Sequence, residues 1–395
     1  MSTPIKGELM YLSIFVGPFT RDARDDVAVI DMCIDQATRA AEAGFAMVTF
    51  GEQHYNDYEP YCNPFIMAGR MATSLGDAWL GTTIVPLVFH HPLRLAEDSS
   101  VADLLLRGRF QLGVSAARVG PVPDWDNFGI EQSDRDELFA TNLQILRSAF
   151  AYQPGDPPLR YDNKWGRGAL NGRLMPASWR AGGPSLAIGT STDATIDRVG
   201  ADGMPLLLGP CPPAVAAAKF GRHRHAMAQA GYPADAIEVA ASHSLVTRNV
   251  VVAETDDEAW TLAEKLSGNA PFMDRTSDNR SMREMAAYDL SDAPYAASAF
   301  GMKGDPVVRN SSYVQGWLIV GDPDSVTRQL KEYETLDIPH VNLRYTVGRY
   351  DPDLGTPGDF DRSFDLFLGS VMPQLDTQQY PALRKDEIRA AYLGH

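Results

Sequence analysis

Short apolar runs alternate with helical stretches along most of this sequence, and that alternation constrains the fold more than any other feature. The strand-like runs are Gly7–Gly17, Phe45–Phe50, Ala78–Leu87, Phe110–Ser115, Ser185–Gly189, Pro205–Gly209, Ile237–Val252, Gly316–Val320 and His340–Leu343. Between and after them, apolar residues recur at helical spacing over Val27–Ala43, Asn63–Leu75, Leu93–Arg107, Asp134–Ala151, Thr192–Val199, Pro213–Ala230, Asp256–Leu266, Asp324–Leu336 and Phe360–Leu375. The strands are short and apolar on both faces, without polar–apolar alternation. Such strands belong in a parallel sheet covered on both sides. About eight strand–helix units of this kind predict an α/β fold, a TIM (β/α)8 barrel, ahead of a doubly wound open sheet.

Two stretches interrupt the alternation. Tyr152–Gly183 is dense in Pro, Gly, Arg and Trp and shows no sustained period, and Gly268–Gln315 is irregular. Both read as long insertions at the C-terminal face of the barrel, and loops of this length are commonly functional. They let the 395 residues be read as one elaborated barrel domain over 1–395, within the size range of that fold.

Composition narrows the function. The net charge is −16, and an acidic surface repels both a phosphate backbone and an anionic lipid face. Nucleic-acid and membrane partners are therefore not expected. No apolar run reaches ~18 residues, and Met1–Met10 lacks an apolar signal core. Cys33, Cys62 and Cys211 are an odd count without a CxxC pair, which speaks against a disulfide framework or a zinc cluster. The expectation is a cytoplasmic enzyme.

Several motifs are absent. The first strand runs into Val16-Gly17-Pro18-Phe19 rather than GxGxxG, and there is no P-loop, GxSxG elbow or HExxH. His223 and His225, flanked by Arg222 and Arg224, read as a solvated helix face rather than a metal site. His90-His91 lies on a turn closed by Pro92, with no carboxylate at a recognisable spacing for a metal.

In a barrel the chemistry lies at the C-terminal ends of the strands. The second strand ends in Gly51-Glu52-Gln53-His54-Tyr55. A carboxylate, an amide and an imidazole there suit a polar ligand, and they suit a plain polar turn equally well.

The ordered segments GEQHYNDYEPYCNPFIMAGRMA, LGTTIVPLVFHHPLRLAED, LLLRGRFQLGVSAAR and NFGI, with AIGTSTDAT, VVAETDDEA and VGDPDSV further on, resemble the bacterial luciferase-like family of flavin-dependent monooxygenases over roughly Leu9–Leu375. No single motif decides this; the ordered set does. The resemblance implies that reduced FMN lies across the barrel mouth and is supplied by a separate flavin reductase. Its phosphate would meet Gly189, Thr190, Ser191, Thr192 and Thr195 at a helix N-terminus, which is also a natural anion site. Arg118 would complement the phosphate charge, with Arg167 or Arg173 as substitutes. Glu52, Thr82 and Thr83 would flank the flavin. At Thr83–Ile84 family members carry a backbone bulge, often with a non-prolyl cis peptide.

By the same resemblance, dioxygen would add to the reduced flavin, and the resulting peroxyflavin would oxygenate a small, largely apolar or aromatic substrate while protein groups exclude water. Luciferases carry His-His after the Glu and use the first as base. Here that position is Gln53, which does not titrate, so His54 is the group that moves a proton or orients the flavin. Tyr55, Tyr58, Tyr61, Phe89, Trp125, Phe128, Trp165 and Trp179 would form an aromatic pocket wall. A homodimer is implied, with Ile66, Met67 and Met71 facing the partner. Two alternatives stand beside this reading: a deazaflavin-dependent dehydrogenase of the same superfamily, and a flavin-binding subunit without activity. A sugar- or phosphate-handling barrel fits less well, because no paired carboxylates stand at strand ends.

Overall fold

A computed structural model describes residues 10–56, 58–117, 124–268 and 317–380. In chain order the strands are β1 (Met10–Phe15), β2 (Met47–Phe50), β3 (Trp79–Thr82), β4 (Val85–Pro86), β5 (Phe110–Ser115), β6 (Leu159–Asn163), β7 (Gly166–Leu170), β8 (Ser185–Gly189), β9 (Leu206–Leu208), β10 (Leu245–Val252), β11 (Leu318–Gly321), β12 (His340–Arg344) and β13 (Thr377–Gln378). The principal helices are α1 (Asp26–Ala43), α2 (Pro64–Met71), α3 (Pro92–Leu105), α4 (Asp124–Phe128), α5 (Arg135–Ala151), α6 (Asp193–Ala201), α7 (Pro213–Gln229), α8 (Ala234–Ser242), α9 (Asp256–Gly268), α10 (Pro323–Thr335) and α11 (Thr356–Leu366).

Eight parallel strands close into a barrel in the order β1-β2-β3-β5-β8-β9-β10-β12, with β12 returning to β1. The β1–β12 register, Tyr11 opposite His340 through Ile14 opposite Leu343, makes the closure. β11 adds to β10 outside the ring and β13 adds to β1. The predicted helix boundaries follow local chemistry. Asn63 caps α2 by accepting from the Phe65 and Ile66 amides, and Pro64 follows where a missing N–H costs nothing. Gly44 ends α1 in the left-handed region, where a side chain would be strained.

The barrel interior is layered. Met47, Trp79, Ala187, Leu207 and Leu245 form an apolar plug. A polar layer crosses it: Ser13 and Thr49 hydroxyls donate to Asn342 Oδ1, and Asn342 Nδ2 donates to Thr247 Oγ1. Because side chains alternate along a strand, the residues two further on face the mouth from the same interior surface: Phe15, Gly51, Asn249 and Arg344. The site is therefore built on a filled core.

The structure corrects four of the expected elements. Ala78–Leu87 is not one strand: it breaks between β3 and β4, and the Thr83–Ile84 peptide there is cis. Tyr152–Gly183 is not wholly loop, because β6 and β7 form an antiparallel hairpin within it. Ile237–Val252 divides into the end of α8 and β10, the β-branched Ile237 and Val239 having imitated a strand. The last helix, expected over Phe360–Leu375, passes into a π turn at Phe367–Val371 and a 3-10 turn at Met372–Gln374. The Gly268–Gln315 insertion, beyond its first residue, lies outside the described residues. Among the described residues no helix is long and apolar enough to cross a membrane.

Candidate active site

The loop after β2 is held in an unusual backbone path by short-range bonds. Tyr55, Glu59 and Cys62 adopt positive φ of 55°, 54° and 46°. Asn56 Oδ1 accepts the Tyr58 amide, and the buried Tyr61 hydroxyl donates to the Val16 carbonyl while accepting from the Gly51 amide. This fixes the end of β2 and turns the Glu52 side chain inward, where it is 5% exposed.

Glu52 Oε1 accepts from two imidazoles, His54 Nε2 at 2.8 Å and His90 Nε2 at 2.6 Å. A carboxylate only accepts, so both imidazoles donate from Nε2. Burial pushes the Glu52 carboxyl up, but the two hydrogen bonds and the imidazole charges outweigh it and hold the group below its ordinary value. Burial pulls the His54 imidazole down, and the Glu52 bond and charge more than reverse that, so His54 holds its proton to higher pH than a free histidine. His90 is the functional candidate that sequence reasoning missed. Its carboxylate partner stands 38 residues earlier, on another strand end, and only the Pro-closed turn after the third strand pointed to it. Asn142 of α5 secures that turn by donating to the Leu87 and His90 carbonyls. His91 instead bonds the Tyr161 hydroxyl.

Gln53 points elsewhere. It lines a cavity of about 240 Å³ with Thr20, Asp26, Tyr58 and Glu59, beside the loop after β1. Its nearest bond, 3.4 Å, is from Asn56 Nδ2.

Only part of the expected aromatic wall assembles around His54. The His54 ring meets Phe128 edge-on at 4.9 Å, Phe128 stacks on Phe89 at 4.9 Å, and Phe89 meets Trp125 at 5.1 Å. Tyr55 and Trp165 border this group. Tyr58 stacks on Phe19, and Tyr61 packs against Phe50. Trp179 is a correction: its amide donates to Asp103 and its ring lies under Arg107, beyond the end of α3 and near the start of β5. Met67 and Met71 are another, since both are buried in the chain's own core, while Ile66 is 69% exposed. His223 is a third: it is buried, with Nε2 bonded to the Met204 carbonyl, rather than on a solvated face.

On the opposite rim, β8 ends at Gly189 and α6 begins after Thr192, whose side chain makes no cap bond. Thr190 Oγ1 accepts the Thr192 amide, and Thr195 Oγ1 accepts from Arg198. Arg118 lies outside the described residues. Arg167 and Arg173 are exposed, on β7 and just after it. Beside this segment lies Lys219 of α7, whose Nζ donates to the Ser191 carbonyl at 2.6 Å and to Asp193 at 3.3 Å, while Arg222 of the same helix donates to Asp193 at 3.2 Å. No spacing in the sequence marks Lys219; packing of α7 on α6 brings it there.

The cis peptide joins the two sides. A Cβ on Gly189 would lie 3.0 Å from Ile84 Cγ2 and 3.5 Å from Ser115 Cβ. Thr82 gives its hydroxyl to the Gly113 carbonyl and accepts from the Gly113 amide, tying the bulge to β5. Thr83 Oγ1 is buried and has no hydrogen-bond partner. Among the described residues no group of three or more side chains is placed to hold a metal.

The luciferase-like monooxygenase family profile matches residues 10–339. The chain belongs to the luciferase-like monooxygenase family. Among curated relatives, 4-hydroxyprotoasukamycin monooxygenase of Streptomyces nodosus subsp. asukaensis is 29% identical over 149 residues, 38% of this chain and 38% of that one. The chain spans 34% to 44% of the length of the first curated relatives that it matches. Among solved structures, the oxygenating constituent of 3,6-diketocamphane monooxygenase from Pseudomonas putida, in complex with FMN, superposes with a TM-score of 0.69 at 18% identity, covering 94% of this chain and 99% of that one. An F420-dependent secondary alcohol dehydrogenase superposes with a TM-score of 0.64 at 14% identity, covering 94% and 99%. These likenesses show the fold of this luciferase-like chain.

Proposed function

We propose that this luciferase-like protein is the oxygenase component of a two-component flavin monooxygenase, which takes reduced FMN from a separate flavin reductase and oxygenates a small, largely apolar organic substrate. The observation that carries the reading is the partnerless buried hydroxyl of Thr83 at the cis bulge. A buried polar group without a partner is costly, and the polar edge of a flavin supplies the missing bond. The remaining residues fit the same group. Thr190, Ser191 and Thr192 bring hydroxyls to the start of α6, whose free amides favour a phosphate, and Lys219 brings the charge. Gly189 leaves room for close backbone approach.

Bound reduced FMN supplies the electrons that activate dioxygen. His54, whose proton the Glu52 bond helps to hold, delivers or retains one proton at the reacting centre, and His90 shares the same carboxylate. Phe89, Trp125 and Phe128 exclude water from the His54 side. A homodimer accords with exposed apolar side chains on neighbouring helices, Ile66 on α2 and Val101 and Leu105 on α3.

Titration of the purified chain with FMN, riboflavin and the deazaflavin cofactor, oxidised and reduced, tests the reading. Reduced FMN is expected to bind more tightly than riboflavin and the deazaflavin. Tight deazaflavin binding without FMN binding assigns hydride transfer instead, and no binding of any of them leaves a chain without flavin chemistry.

A further inference from the structure

Arg344 and Asn249 are direct cross-strand partners on β12 and β10, and both are buried, at 5% and 4% exposure. Their side chains project from the interior surface of the barrel, two residues beyond Asn342 and Thr247, which bond to each other inside it. Neighbouring buried polar residues of this kind ordinarily satisfy each other or a third group. Here each keeps an orphan: Arg344 Nη2 and Asn249 Oδ1 are buried with no hydrogen-bond partner. The guanidinium makes one long bond, Nε to Thr346 Oγ1 at 3.4 Å. It is otherwise enclosed by ring faces, Tyr58 at 5.0 Å, Phe19 at 5.4 Å and Phe15 at 5.8 Å. Cation–π contacts offset part of the desolvation cost of a buried guanidinium, and they leave its hydrogen-bonding fork open. Glu59, next in sequence to Tyr58, adds negative charge in the same region, since both it and Arg344 act on the Cys33 thiol, but it does not bond Nη2.

We infer that Arg344 forms an anion-binding subsite for a carboxylate on the substrate, with Asn249 Oδ1 beside it left to accept from a donor on the same molecule. This inference rests on the reading of the barrel mouth as the flavin and substrate site. A carboxylate matches the open guanidinium fork, and charge-assisted pairs of this geometry are the strongest hydrogen bonds proteins form. Placement separates the subsite from the flavin phosphate. Gly189 ends β8, three strands round the ring from β12, whereas the loop carrying Glu52, His54 and Tyr58 leaves β2, only two strands away. A substrate held by its carboxylate at Arg344 lies against Phe15, Phe19 and Tyr58 on the side of the barrel that bears His54. The substrate class is thus a small organic acid with an apolar or aromatic body.

The test titrates the full chain, with and without FMN, with benzoate and phenylacetate and with their neutral counterparts benzamide and phenylacetamide. The wild type is expected to prefer the carboxylates by about tenfold or more. Arg344→Met is expected to abolish that preference while amide and FMN affinities stay within about twofold. Asn249→Asp guards against loss of folding. It sets a competing carboxylate beside the guanidinium, so it should remove the preference with a melting temperature at or above that of the wild type. The inference is overturned if no carboxylate outbinds its amide, if the preference survives Arg344→Met, or if that change lowers FMN affinity instead. The FMN titration reports separately on the flavin reading. A chain that discriminates carboxylates through Arg344 but binds no FMN retains the subsite and loses the oxygenase assignment.

Discussion

His54 and His90 share one oxygen of Glu52, at 2.8 Å and 2.6 Å, although they leave the barrel from different strands. The two imidazoles are therefore coupled through a single buried charge, and removing that charge affects both.

Glu52→Gln is expected to lower the His54 pKa and to shift the alkaline limb of any proton-dependent step to lower pH. The sign follows from linkage. His54 has a raised value in the folded chain, so its stabilisation is present below the ordinary histidine value and is lost as pH rises through the raised one. Glu52 has a depressed value, so its stabilisation is present above the ordinary carboxylate range and is lost as pH falls through the depressed one. The difference in melting temperature between wild type and Glu52→Gln should peak between those limits. An NMR titration of the His54 ring checks the shift, and an unchanged His54 value contradicts the coupling.

His54→Ala is expected to reduce turnover by about a hundredfold, in the range for loss of a general acid or base. Its effect on FMN affinity should stay within a few-fold. Steady-state rates beside a flavin titration separate the two. If neither changes, the site at the end of β2 is structural.

Lys219→Met is expected to weaken FMN binding by roughly tenfold, the scale of one charge-assisted contact, and to leave riboflavin binding unchanged. Equal losses for both ligands would place the lysine away from the phosphate.

Gly113→Ala and Gly189→Ala should behave differently. A Cβ on Gly113 would lie 2.1 Å from the Thr82 carbonyl oxygen, which is backbone, so the bulge or β5 has to move. A loss of about 3 kcal/mol is expected in urea unfolding. The nearest atom to a Cβ on Gly189 is a side-chain methyl at 3.0 Å, so that variant should fold and lose flavin affinity.

Acid should loosen the opposite end of the barrel. His243 and His340 are buried there with Tyr380, and burial pushes both down to about 3. The His243 ring lies parallel to Tyr380 at 4.3 Å and bonds Gln111, while His340 Nε2 bonds Ser13 Oγ. Both stay neutral in the folded chain, whereas the unfolded chain takes up protons below about 6.5. The melting temperature should therefore fall as pH drops from there towards 3, and less steeply in His340→Asn. A slope that His340→Asn leaves unchanged would place the acid sensitivity elsewhere.

The barrel was legible because its signal is repeated: each strand is a continuous apolar run and each helix keeps its period. Elements without that signal escaped. The hairpin strand Gly166–Leu170 has two glycines and no β-branched residue, and Ala234–Ser242 is helical despite the β-branched Ile237 and Val239. The site was half legible. Glu52 and His54 are neighbours at one strand end, so their order in sequence nearly gives their geometry. His90 and Lys219 reach their partners only through closure of the barrel and packing of α7 on α6; the turn before Pro92 marks His90 without showing its partner, and Lys219 leaves no local pattern. Arg344 lies one residue past the apolar run that marks the last strand, and nothing in its neighbours shows that its Nη2 goes unanswered.

The central claim is that this barrel mouth uses reduced FMN to activate dioxygen. Stopped-flow mixing of the protein and reduced FMN with aerated buffer, alone and with aldehydes, ketones and aromatic acids, tests it most directly. The account predicts a transient absorbance distinct from both reduced and oxidised FMN, long-lived without substrate and consumed faster with the right member of the panel. Reoxidation that follows the course of free FMN, with no transient under any condition, would contradict it.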